Sequence, residues 1–290
     1  MIKVNNWLIG ARPRTLPAAI APVFVGTALI NVTGQSVNWF NAALALAVSL
    51  LLQIGVNYSN DYSDGIRGTD SERVGPTRLV ASGLLPAAKV KQMAYLTLFT
   101  ASLCGLVLAL RTSPWLILVG AISIIAAWNY TGGKSPYGYR GFGEISVFIF
   151  FGLVATMGSY FAQSKTLNLN SLAISIPMGA LACSILAINN LRDLPKDALV
   201  NKRTVAVRLG DHRARIALVG LLAVAQISAA LIAFIAPLAL LTLLTLPLTI
   251  SISRSVMAGA AGKDLIPLLG KAGKLQLFSA LLITLALAIK

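Results

Sequence analysis

The chain has 290 residues, 57% of them hydrophobic and only 11% charged, with a mean hydropathy of +0.79. Soluble domains carry about 25% charged residues, so the composition excludes an ordinary soluble protein and describes an integral membrane protein; its apolar runs of about 20 residues call for helices, being too long for barrel strands. The net charge of +15 is dispersed over short connections and forms no contiguous arm, so nucleic acid is not expected as a partner.

Nine apolar runs follow one another, at about 15–33, 39–60, 90–110, 114–130, 142–163, 172–192, 214–235, 237–257 and 268–289. They predict an all-α membrane protein of about nine transmembrane helices in a single domain, 1–290, with no soluble domain and no obligate protein partner evident. Arg12 and Arg14 precede the first run, which reads as a retained span because no small-residue cleavage site follows it. Of 24 Lys and Arg, 21 fall in alternate connections, leaving Arg111, Lys165 and Lys290 on the other side. By the positive-inside rule the N-terminus is cytoplasmic and the C-terminus outside. Cys104 and Cys183 stand singly inside spans, where small apolar packing is the default and a disulfide or zinc site is not expected. Two longer polar connections, about 61–89 and 193–213, both cytoplasmic, carry most of the side chains capable of chemistry.

Acid is scarce, nine residues in all, and four of them, Asp61, Asp64, Asp70 and Glu72, fall within twelve positions. If the second apolar helix continues through its polar end, Asn57, Asp61 and Asp64 sit at i, i+4 and i+7 and share a face. Asn189, Asp193 and Asp197 repeat the pattern at i, i+4 and i+8. Carboxylates at the ends of membrane helices are costly unless a cation binds them, and Mg²⁺ is usually shared between protein acids and phosphate oxygens. The two clusters therefore read as halves of one metal site formed by Asp61, Asp64, Asp193 and Asp197, with Asn57 and Asn189 or Asn190 as amide ligands or supporting donors. The alternative is that these acids pair with neighbouring Arg and Lys as loop salt bridges. Asp70 and Glu72 fit ligation and plain solvated charge equally well, and the spacing does not fit an EF-hand.

Basic residues follow each cluster: Arg67, Arg73 and Arg78, then Lys202, Arg203 and Arg208. Arg67, Arg78, Lys202 and Arg203 suit phosphate oxygens; the other reading is that basic residues only set topology. The segment 204–212 reads as a short helix ended by Gly210, with Asp211 capping the next helix and His212 on the surface. A third polar stretch, Asn129 to Glu144, brings Tyr and Gly residues to the same side. Tyr130, at a helix end, is its strongest site candidate, against an interfacial aromatic belt. Glu144, just inside a span, calls for a role or a partner.

Asn60-Asp61-Tyr-Ser-Asp64, Arg78-Leu-Val-Ala-Ser-Gly and Asn190-Leu-Arg-Asp193-Leu-Pro-Lys-Asp197, followed by Asn-Lys202-Arg-Thr, resemble the UbiA superfamily of intramembrane prenyltransferases over almost the full chain. Within it, Gly10-Ala-Arg-Pro-Arg-Thr-Leu-Pro-Ala, Gly65-Ile-Arg-Gly-Thr-Asp70 and the Asn129–Glu144 stretch look like the 1,4-dihydroxy-2-naphthoate polyprenyltransferases of menaquinone synthesis. The resemblance implies that Asp61, Asp64, Asp193 and Asp197 bind Mg²⁺–diphosphate and that Arg67, Arg78 and Lys202 help to hold it. Asn57 and Asn189 or Asn190 would line the same pocket, and Asn60 is a further candidate for substrate binding. One departure stands out: where a third Asp often follows the second by four residues, this chain has Gly68, and the acid comes at Asp70.

The expected activity is Mg²⁺-dependent transfer of a polyprenyl chain from its diphosphate to 1,4-dihydroxy-2-naphthoate with loss of carboxylate, in a bacterial plasma membrane with the site toward the cytoplasm. Another aromatic acceptor such as 4-hydroxybenzoate stays open. An ion-coupled transporter would need acids near the bilayer midplane, whereas these lie at helix ends on one side.

Overall fold

The computed structural model describes residues 4–69 and 75–289 and contains no strands among them. Asp70, Glu72 and Arg73 lie outside the described residues, as do Lys3 and Lys290 of the charge pattern. In order, the α-helices are α1 (Val4–Ala11), α2 (Pro17–Ala28), α3 (Trp39–Ile66), α4 (Ala87–Arg111), α5 (Trp115–Asn129), α6 (Gly143–Val147), α7 (Ala155–Ser164), α8 (Leu169–Leu199), α9 (Val205–Leu231), α10 (Leu246–Met257) and α11 (Leu265–Ala288).

All nine apolar runs are helical, but nine spans are not reached by length and composition. Seven described helices are long and apolar enough to cross a bilayer, and an eighth is counted if the pair Asn6–Thr15 and Pro17–Thr33, bent by 52°, is one span. α5 is apolar yet only 15 residues long, and spanning needs about 20.

Several helices are irregular where the sequence asks for it. α6 and α7 join through a π-helical turn, Phe148–Val154, which packs on α8. The contact is backbone to backbone: a Cβ on Gly152 would stand 2.6 Å from the Cα of Gly179, so glycine is required on that side of the crossing. α9 breaks at Gly210, whose φ of 75° and ψ of 167° no L side chain adopts readily. This agrees with a short helix ending there. Thr204 caps it by accepting the Val207 N–H. Asp211 does not cap the following helix, because its two oxygens accept from Arg215 at 2.7 and 2.8 Å; the guanidinium fork one turn away offers a stronger, bidentate partner than backbone amides.

α8 is the most buried span, with 72% of its apolar window inside the protein. It packs against α2, α7, α9 and α11, and the main core gathers Ile174, Met178 and Ile188 of α8 with Val25, Leu218 and Ile283. α3 pairs with α4, and a second cluster at the end where they are joined brings together Tyr58, Leu79, Leu85 and Val90. The longer polar connections shrink in the structure. α3 runs on to Ile66 and α8 to Leu199, through Pro195, and α9 starts at Val205. The expected 193–213 loop is therefore mostly helix: polar composition marks where the chain leaves the lipid, and a helix can continue in water past that point.

Candidate active site

Because α3 continues as one helix, Asn57, Asp61 and Asp64 do share a face, and all three are buried. Each meets a different partner. The two carboxylate oxygens of Asp61 accept the backbone N–H groups of Leu79 and Val80, both at 3.0 Å, so this side chain grips the connection that carries Arg78. Asn57 donates to the Ala11 carbonyl at 2.9 Å and to the Thr15 hydroxyl at 3.1 Å, and accepts from Gln53 at 3.2 Å. Asn60 accepts from the Thr131 hydroxyl at 2.7 Å. Asp64 accepts from the Tyr139 hydroxyl at 2.7 Å and has Arg78 at 3.9 Å.

On α8, Asn190 donates to Glu144 at 2.9 Å, which supplies the partner that an acid at this depth requires. Asn189 donates back to the Ile185 carbonyl at 3.1 Å. Asp193 is held bidentately by Arg192 at 2.7 and 2.8 Å, and Asp197 pairs with Lys202 at 3.2 Å. Salt bridges to neighbouring bases thus exist at Asp64, Asp193 and Asp197.

Tyr139 joins the two halves. Beyond its bond to Asp64, its ring has Arg67 at 5.6 Å and Lys202 at 5.4 Å from the centroid, and its carbonyl accepts the Arg203 N–H at 2.8 Å. Both cations are within cation–π range. Burial, and then the charge of Asp64, push the Tyr139 phenol above its ordinary pKa, so it stays a neutral donor. Tyr130 stands edge-on to Tyr137, with centroids 5.5 Å apart.

Part of this set borders a cavity of about 760 Å³. Its polar wall includes Asn57, Asn60, Asp64, Arg78, Tyr130, Asn189, Asn190, Asp193 and Lys202; from there it runs between apolar walls such as Val23, Leu108, Val119, Phe150 and Val154. Asp61, Asp197, Glu144, Arg67 and Arg203 do not line it. Arg67 instead donates to the Thr131 and Gly133 carbonyls, and Arg203 is exposed. Sequence reasoning did not single out Tyr139, Thr15 or Gln53. A signal existed for Gln53, a polar residue in an apolar helix four positions before Asn57.

Among the described residues no group of three or more His, Cys, Asp or Glu stands close enough to hold a metal ion by itself. That does not disfavour Mg²⁺, which is commonly held by one or two carboxylates plus substrate phosphates. Asp64 and Asp193 border the same cavity as Asn57, Asn60, Asn189 and Asn190, and oxygen donors of this kind are those a hard cation would take.

Known proteins resemble this chain in fold and in sequence. A structure of a UbiA homolog from Aeropyrum pernix K1 superposes with a TM-score of 0.70 at 15% identity, covering 93% of this chain and 96% of that one. A UbiA homolog from Archaeoglobus fulgidus, bound to DMAPP and Mg²⁺, gives 0.68 at 15% identity, covering 98% and 100%. A 1,4-dihydroxy-2-naphthoate octaprenyltransferase from Mycobacterium tuberculosis is 50% identical over 288 residues, 99% of this chain and 98% of that protein. One of the same name from Escherichia coli is 40% identical over 220 residues, 73% of this chain and 71% of that protein. The UbiA prenyltransferase family profile matches residues 19–288, and the chain belongs to that family.

Proposed function

We propose that the protein transfers a polyprenyl chain from an allylic polyprenyl diphosphate to 1,4-dihydroxy-2-naphthoate, giving demethylmenaquinol, the reduced diol form of demethylmenaquinone. The observation that carries this is one cavity with acids and bases at its polar end and a long apolar interior, together with relatives of that name along the full chain. Asp64 and Asp193 are the cavity carboxylates for Mg²⁺, with Asp61 and Asp197 behind them. Held by these residues, Mg²⁺ would supply positive charge toward a departing diphosphate. Arg78 and Lys202 add positive charge at the same wall. The apolar walls take the prenyl chain and keep water from the reacting carbon. Rupture of the allylic C–O bond releases diphosphate, the ring carbon that bears the carboxylate forms the new C–C bond, and its bond to the carboxylate breaks to release CO₂ and return the electron pair to the ring. The electron-rich diol ring needs no strong protein base.

The decisive assay incubates purified protein with Mg²⁺, a polyprenyl diphosphate and either 1,4-dihydroxy-2-naphthoate or 4-hydroxybenzoate, and weighs the product. A prenylated, decarboxylated naphthalenediol is expected, and excess EDTA abolishes it. Conversion of 4-hydroxybenzoate alone sinks the naphthoate reading. The charge pattern supports a polar end turned toward the cytoplasm of a bacterial plasma membrane. In a Cys104→Ala, Cys183→Ala background, Asn201→Cys should react with an impermeant thiol reagent only in inverted vesicles, and Gln35→Cys in intact spheroplasts; the reverse pattern refutes the orientation.

A further inference from the structure

Resting on that function, we propose that Arg12 and Arg14 form the site that reads the carboxylate of the aromatic acceptor, apart from the site that holds the diphosphate.

The turn that joins α1 to α2 is built with unusual care. Arg12 sits at φ 52° and ψ 71°, left-handed backbone that a non-glycine residue rarely adopts. The turn is closed by Thr15, whose N–H and hydroxyl both donate to the Arg12 carbonyl, at 2.9 and 3.0 Å. It is then fastened to α3, where Asn57 donates to the Ala11 carbonyl and to the Thr15 hydroxyl, and Gln53 donates to the same hydroxyl at 3.1 Å. Two buried amides inside a membrane helix are thus committed to one strained turn. The strain and the amides have a common result: Arg12 and Arg14 both border the cavity.

Their charges are not used by the fold. Of the cavity's other cations, Arg78 faces Asp64 and Lys202 pairs with Asp197. Arg12 and Arg14 form no ion pair among the described residues, and the Arg12 guanidinium makes one hydrogen bond, to the Asn57 carbonyl at 3.3 Å. A guanidinium fork at a cavity wall suits a planar carboxylate. Asn57, which anchors the turn, precedes Asp64 by seven residues on α3, roughly 10 Å at the helical rise. The two anionic groups of the two substrates are therefore given separate cationic sites and do not compete for one.

The test compares full-length wild-type protein with Arg12→Gln, Arg12→Lys and Arg14→Gln, using 1-hydroxy-2-naphthoate and 1-naphthol as inhibitors that differ by the carboxylate alone. In the wild type the acid should inhibit at least about tenfold more strongly, as expected for a charge-assisted pair. In the Gln variants that preference should fall toward one, with the acceptor KM rising on the order of tenfold and the KM for the prenyl diphosphate staying within about twofold; Arg12→Lys should fall between. Arg14 is exposed, so its variant tests the idea even if Arg12→Gln fails to fold. A preference retained in the Gln variants overturns the proposal, and so does a prenyl-diphosphate KM that rises in step with the acceptor KM. If wild-type protein turns over a different aromatic acid, the naphthoate reading fails, and the same ratio, measured with that acid and its decarboxylated analogue, still decides the role of the arginines.

Discussion

The polar ends of α3 and α8 carry the same spacing, an Asn four residues before an Asp, yet they are put to different uses. On α3 both matched residues serve the backbone: Asn57 holds the turn at 11–15 and Asp61 holds the N–H groups of Leu79 and Val80. On α8 the matched Asp193 meets an arginine next to it, and among the described residues Asn189 bonds only within its own helix. The first end organises the connections around the cavity, and it is Asp64, one turn on, that faces the cavity with Asp193. An echo in sequence therefore marks where two helices come together and does not assign equal roles.

The comparison can be broken by substitution. Asp64→Asn should lower turnover by about two orders of magnitude or more, as for loss of a charge that acts on the leaving group, and should raise the Mg²⁺ concentration for half-maximal rate. Asp61→Asn should act differently. It places an amide N–H₂ against one of two buried backbone donors, at a cost of about 1–3 kcal/mol, so the protein should melt earlier while the Mg²⁺ requirement of the folded fraction stays put. A Mg²⁺ requirement shifted equally in both variants would erase the distinction. Tyr139→Phe keeps the ring between Arg67 and Lys202 but removes the bond to Asp64; a loss of about 1 kcal/mol, or roughly fivefold in rate, is expected, with a larger loss for Tyr139→Leu. Equal rates for the Phe and Leu variants would show that the ring contacts are incidental.

Much of this was legible in the sequence because lipid imposes simple rules. Apolar runs located every helical span region, and scarcity of acid singled out Asp61, Asp64, Asp193 and Asp197. Periodicity correctly placed Asn57, Asp61 and Asp64 on one face, but a face does not say what lies opposite. That Leu79 and Val80 would turn their N–H groups to Asp61, or that Arg67 would be spent on the Thr131 and Gly133 carbonyls, depends on how connections of irregular backbone fold over the helix ends. The bent α1–α2 entry escaped for the same reason: its conformation is set by Gln53 and Asn57 on another helix, a contact about 40 residues away in sequence.

The central claim is that Asp64 of α3 and Asp193 of α8 act on one bound Mg²⁺–diphosphate. A double-mutant cycle tests it most directly, measuring the Kd of geranyl thiolodiphosphate in Mg²⁺ for wild type, Asp64→Asn, Asp193→Asn and the double variant. Groups sharing a ligand couple, by 0.5–3 kcal/mol in typical networks, so the double variant should bind only slightly more weakly than the worse single one. Losses that add fully would mean two independent sites, and would contradict the account.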